Sequence, residues 1–234
     1  MSLLFQSSSH VGGDLVEFFS FSDSRLSLYS IDVSGHSISS AQITARLAGY
    51  LSAHNKEQNV AFDRLQTGEY VHRDPALIAE HLNQLMMDEL ETDHYFTLAY
   101  ADINLTNGTV QMVQAGHPHP VVSNPETGVK YYGDGGPPIG LMSDMKFETF
   151  EFKLKKGDRL FLYSDGITEC QNAGGELLDE DGLERILLKQ HSGKGPEFMN
   201  DLMWELAAFA NEHPFGDDIS DILFEFREFV QPPQ

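Results

Sequence analysis

Apolar, aromatic and β-branched residues crowd the stretches Leu15 to Phe21 and Leu26 to Val33. Ser22-Asp-Ser24 separates them, the pattern of two strands joined as a hairpin. The period then lengthens. Ile43, Leu47, Tyr50 and Leu51 recur on one helical face, which predicts a helix from Ser39, as its N-cap, to about Ser52. Between His54 and His72 the chain is polar and poorly periodic, so it reads as a long loop holding at most one turn of helix. Asp74-Pro75 supplies a capping carboxylate and a proline at the first helical position. Ile78, Leu82, Leu85, Met86 and Leu90 continue at helical period.

The middle of the chain changes to short apolar runs. Phe96 to Leu105, Thr109 to Ala115, Pro120 to Ser123, Val129 to Tyr132, Phe147 to Leu154 and Arg159 to Ser164 read as strands. Thr106-Asn-Gly108, Pro125-Glu-Thr-Gly128, the Gly/Pro-rich stretch Gly133 to Gly140 and Lys156-Gly-Asp158 break them, and such turns join antiparallel neighbours. Two helices follow, about Asp181 to Gln190 and Pro196 to Glu212, the second with Met199, Leu202, Met203, Leu206 and Phe209 on its apolar side. A last strand runs from Asp221 to Phe226. Strands in hairpins with helices before and after them favour an α+β layered domain, two antiparallel sheets covered by helices, over a βαβ parallel sheet. No repeat or linker-like shift in composition divides the chain. The expected division is a leader or linker remnant over 1–11, one domain over 12–228 and a tail over 229–234, frayed at Gln231-Pro-Pro-Gln234.

Charge changes the picture of partners. Against 15 Lys and Arg stand 36 Asp and Glu, a formal net charge of −21, so nucleic acid and anionic lipid surfaces are disfavoured while cations are attracted. No run approaches the roughly 18–20 apolar residues needed to span a bilayer, and no basic-then-apolar leader marks a secretory signal. The single cysteine, Cys170, excludes an internal disulfide framework and suits a reducing, cytoplasmic setting.

The chemistry is sought in particular carboxylates. Asp14 follows glycine and opens the first strand, and Asp32 ends the second. Asp165 ends the apolar run before Gly166, and Asp217 and Asp218 follow Gly216 just ahead of the last strand. Each lies where a rigid strand meets a glycine turn, and several such ends brought together make the all-oxygen cage that Mg²⁺ or Mn²⁺ prefers. Cys and His at zinc spacing are absent. Asp179-Glu-Asp181 reads instead as a solvated helix start, and His117 as a loop histidine outside the site.

Gly12-Gly-Asp14, Asp32-Val-Ser-Gly-His36, Ala115-Gly-His-Pro118, Gly135-Gly-Pro-Pro-Ile-Gly-Leu141, Tyr163-Ser-Asp-Gly-Ile-Thr-Glu169 and Gly216-Asp-Asp-Ile-Ser220 occur in that order. The ordered set resembles the bacterial SpoIIE/RsbU-type branch of the PPM (PP2C-like) serine/threonine phosphatases. The resemblance implies a four-layer α/β/β/α sandwich with a centre of two Mn²⁺ or Mg²⁺ ions at one end. It assigns Asp14, Asp32, Asp165 and Asp217 as metal-binding carboxylates, the Val33 carbonyl as a further ligand, and Asp32 as the bridge. Gly13, His36, Gly166 and Asp218 would support these from behind. It further implies hydrolysis of phosphoserine or phosphothreonine by a hydroxide held between the ions, with a phosphorylated STAS (anti-anti-sigma) protein as partner and an upstream sensory or receiver domain in control. Ser37 stands where relatives usually carry a second glycine, and no basic residue near Gly12 offers a phosphate clamp. These departures leave room for a pseudophosphatase that docks a partner without turnover; a metal-dependent phosphodiesterase acting on nucleotides would share the cage but has no sequence feature of its own.

Overall fold

A computed structural model describes residues 1–6, 13–35, 37–89, 94–190, 193–211 and 213–230. The chain opens with β1 (Ser2–Gln6), the hairpin β2 (Asp14–Ser22) and β3 (Arg25–Val33), and α1 (Ile38–Tyr50). A small hairpin, β4 (Phe62–Arg64) and β5 (Tyr70–His72), leads to α2 (Pro75–Glu89). Then come β6 (Phe96–Asn104), β7 (Thr109–Ala115), β8 (Val121–Asn124), β9 (Gly128–Tyr131), β10 (Thr149–Lys153) and β11 (Arg159–Tyr163). The short α3 (Asp165–Thr168), α4 (Asp179–Lys189), α5 (Pro196–Ala210) and β12 (Ile219–Glu225) complete the chain.

The strands form two five-stranded antiparallel sheets, one ordered β10-β7-β6-β3-β2 and the other β1-β12-β11-β8-β9. Alternation along each strand decides what each face meets. Leu26 and Leu28 of β3 pack with Ala99 and Ala101 of β6 and with Leu160, Leu162, Ile222 and Phe224 of the opposite sheet. The intervening Tyr29, Ile31 and Val33 turn outward onto Ile43 and Leu47 of α1 and Ile78 and Leu82 of α2. Phe161, Tyr163, Ile219 and Leu223 turn outward in the same way, onto Leu183 and Leu187 of α4 and Leu202 and Leu206 of α5. Central strands buried on both faces explain why their sequences read as unbroken apolar runs. The four-layer α/β/β/α sandwich is the expected fold.

The details differ in places. Residues 2–6, expected as part of a leader, form β1 and pair with β12 from Ser2 opposite Leu223 to Gln6 opposite Ile219. The expected loop from His54 to His72 contains β4 and β5, with Phe62 opposite His72. Helix α1 is capped by Ser37, not Ser39. Ser37 has an extended backbone, and it and Ser40 exchange hydrogen bonds in a capping box. The start of α2 is as expected, with Asp74 Oδ1 accepting from the Ala76 N–H at 2.9 Å. The tail Gln231–Gln234 and His36 lie outside the described residues.

Candidate metal centre

The register of one sheet places the first carboxylates. Asp14 of β2 stands directly opposite Asp32 of β3, and Asp32 opposite Thr97 of β6. All three share the face that looks toward the other sheet. Like charges directly opposite on a ladder repel, so two aspartates there need a compensating partner. The backbone around them is drawn tight. A side chain at Gly13 would put its Cβ 2.6 Å from the Val33 carbonyl oxygen, so glycine is what lets the two strands close there. From α1, the Thr44 hydroxyl donates to the Gly13 carbonyl at 2.8 Å.

The other sheet contributes Asp165, first residue of α3, and the Asp217-Asp218 turn before β12. Ser164 fastens these together. Its N–H donates to the Ser220 carbonyl at 2.9 Å, its hydroxyl donates to the Asp218 carbonyl at 3.0 Å, and the Ser220 N–H donates to that hydroxyl at 3.0 Å. The Asp218 N–H donates to Asp217 Oδ1 at 2.8 Å. Gly166 packs so closely beneath the turn that a Cβ would overlap the Asp218 carbonyl. Gly166→Ala is therefore expected to push Asp217 outward and weaken Mn²⁺ binding about tenfold, measured by calorimetry. An unchanged affinity would show that the turn's position does not matter.

Together these elements wall a cleft of about 240 Å³ between the sheet ends, lined by Gly13, Asp14, Asp32, Val33, Asp165, Asp217 and Asp218. Every sequence-predicted ligand thus reaches one mouth. Gly166 supports it from below. Ser34, Gly35, Tyr95 and Thr97 also line it and were not anticipated. Volume does not single out this place, since a hollow of about 560 Å³ lies between α1 and α2, but its lining of Arg46, Tyr50, Gln58 and His81 with apolar neighbours holds no carboxylate.

Electrostatics mark the cleft as a cation site. Burial, and then the Asp32 carboxylate, pushes Asp14 well above the usual carboxylate range. Asp32 is raised by burial and by Asp217 and Asp218. Asp165 is pushed up to about 7 by burial and by Asp32. Among the described residues the buried Asp14 Oδ2 reaches no full hydrogen-bond geometry, although the Ser220 hydroxyl and Asp32 lie against Asp14. Among the described residues no three acidic or imidazole side chains already close on a single point to grip an ion. What fits divalent metal is the donor set: carboxylate and carbonyl oxygens around one cleft, where crowding makes the carboxylates costly to ionise without a cation.

Known proteins share this fold. The chain is 29% identical over 166 residues to the phosphoserine phosphatase RsbP of Bacillus subtilis, covering 70% of this chain and 38% of that protein. It spans only 37–38% of the length of the curated relatives it matches. The SiaA-PP2C domain of Pseudomonas aeruginosa superposes with a TM-score of 0.80 at 20% identity, over 95% of this chain and 84% of that one. RsbX in complex with magnesium does so with a TM-score of 0.63 at 15% identity, over 94% and 92%. The sequence profile described as Stage II sporulation protein E (SpoIIE) matches residues 22–227. That range starts after Asp14 and takes in Asp32, Asp165 and Asp217. With most of its length inside that match, the chain belongs to the SpoIIE family.

Proposed function

We propose that this chain is a metal-dependent phosphatase domain that hydrolyses phosphoserine or phosphothreonine in a regulatory protein. The observation that carries the reading is the convergence of Asp14, Asp32, Asp165 and Asp217 on one cleft with the Val33 backbone. Two Mn²⁺ or Mg²⁺ ions bound there would supply Lewis acidity, making a water acidic enough to attack near neutral pH and neutralising the phosphoryl oxygens.

The protein's own part is to hold charge in place. Asp32 acts electrostatically on both Asp14 and Asp165, which suits it to the bridging position. Asp14, Asp165 and Asp217 would supply further carboxylate oxygens to the ions. Asp218 keeps its carbonyl on Ser164 and so positions Asp217. Cys170 is buried and takes no part. Among the described residues no Lys or Arg lines the cleft, so a substrate phosphate would be held by the cations and by the partner's surface. The name of RsbP supports a phosphoserine substrate, and the family resemblance supports a phosphorylated STAS protein as partner, a cytoplasmic setting and control by a further domain.

The test is release of phosphate from a phosphoserine-bearing STAS protein. Turnover is expected with Mn²⁺ or Mg²⁺ and is expected to vanish on chelation. Turnover that survives chelation would overturn the proposal. Tight Mn²⁺ binding with no hydrolysis of any phosphoprotein would favour the pseudophosphatase.

A further inference from the structure

His117 sits where the chain crosses from β7 of one sheet to β8 of the other, and it is 3% exposed. Its backbone carbonyl accepts from Gln114 Nε2 at 2.6 Å. Nδ1 lies 2.7 Å from the Thr97 hydroxyl, and Thr97 is one of the residues lining the cleft, opposite Asp32 in the ladder. The Tyr163 backbone carbonyl lies against the ring; with Nδ1 on Thr97 it falls to Nε2, which makes no full hydrogen bond among the described residues. Burial pushes the imidazole down to about 3, so the ring is neutral and carries one N–H. A carbonyl can only accept, so that hydrogen belongs on Nε2, toward Tyr163. Nδ1 is then an acceptor, and the Thr97 hydroxyl must donate to it. The lone pairs of Thr97 are left facing the cleft.

We infer that His117 orients Thr97 so that its hydroxyl presents an acceptor, not a donor, to the attacking water in the cleft. Thr97 then receives one hydrogen of that water and turns the water's lone pair toward phosphorus, and His117 acts as a positioning residue behind it. This role rests on the phosphatase reading. It differs from that of the aspartates because neither residue carries charge or contributes to the oxygen cage.

Two readouts test it on the full chain. Long-range ¹H–¹⁵N NMR of His117 is expected to show the Nε2–H tautomer from pH 5 to 8, and the Nδ1–H tautomer would overturn the inference. In Mn²⁺-saturated turnover, Thr97→Val is expected to lower kcat about 100-fold, with KM and Mn²⁺ affinity within about threefold of wild type. Thr97→Ser restores the rate. His117→Asn, whose amide oxygen can stand near the Nδ1 position, keeps more activity than His117→Phe. The Thr97→Val/His117→Phe pair loses no more than the worse single variant. An active wild type matched by Thr97→Val overturns this role alone, whereas a wild type without metal-dependent turnover overturns the phosphatase reading and the role with it.

Discussion

Asp165→Asn is expected to lower kcat by about 10³-fold or more while the metal-free protein becomes more stable. The two effects have one cause. Asp165 is pushed up to about 7 by burial and by Asp32, so ionising it in the folded protein works against like charge. The amide keeps the shape and removes the charge. A carboxyl whose folded pKa lies above its ordinary 3.8 binds its proton more tightly folded than unfolded. Stability therefore falls as pH rises through the window from about 4 to about 7, by up to about 1.4 kcal/mol for each pH unit. In chelator, wild type is expected to lose Tm across that window more steeply than Asp165→Asn. Added Mn²⁺ should raise the Tm of wild type and do much less for the variant. A variant that keeps more than a tenth of wild-type kcat, or that is as strongly stabilised by Mn²⁺, would remove Asp165 from the centre. The site thus holds its activity at the expense of the cation-free fold.

The strand ends that carry Asp32 and Asp165 were legible in the sequence because their strands are buried on both faces, leaving apolar runs that stop abruptly at a carboxylate and a glycine. The layer order was legible for the same reason. What the pattern missed is held by partners distant along the chain. Strands β4 and β5 are three residues each, inside a polar stretch. They are secured from outside: His72 Nε2 meets Ser27 of β3 at 3.1 Å and the Tyr100 hydroxyl of β6 at 2.9 Å. β1 is short, lies at a sheet edge and gains its place by pairing with β12, at the far end of the chain, and by packing Leu4 against the core under α5. Thr97 looks like any other polar position in an alternating strand. Its place in the site depends on the register between β3 and β6, and local periodicity carries no register. His117 was set aside as a loop residue because the sequence cannot show that its loop crosses behind the cleft.

Asp221→Val is expected to stabilise the protein, and by more as pH rises. Asp221 lies in β12 opposite Leu4 of β1 and Tyr163 of β11. It shares the outward face with Ile219 and Leu223, which pack under α4 and α5. It is 0% exposed, and neither carboxyl oxygen has a hydrogen-bond partner. Its neighbour Tyr163 leaves its own hydroxyl unpartnered as well. Burial alone raises Asp221 well above 3.8, which favours its protonated form in the folded protein. A buried carboxyl without a partner costs about 1–3 kcal/mol. Holding its proton adds up to about 1.4 kcal/mol for each pH unit above the unfolded value, until the folded pKa is reached. Valine removes both penalties, suits a strand and changes side-chain volume little. With Mn²⁺ saturating in both proteins, the Tm of Asp221→Val is expected to exceed wild type by several degrees at pH 5, with the gap widening as pH rises. Asp221→Asn should flatten the pH dependence without the full gain, because its amide is still unsatisfied. Parallel Tm curves would show that the carboxyl finds partners in solution. Phosphatase turnover should be unchanged, since this face of β12 looks toward the helices and not into the cleft.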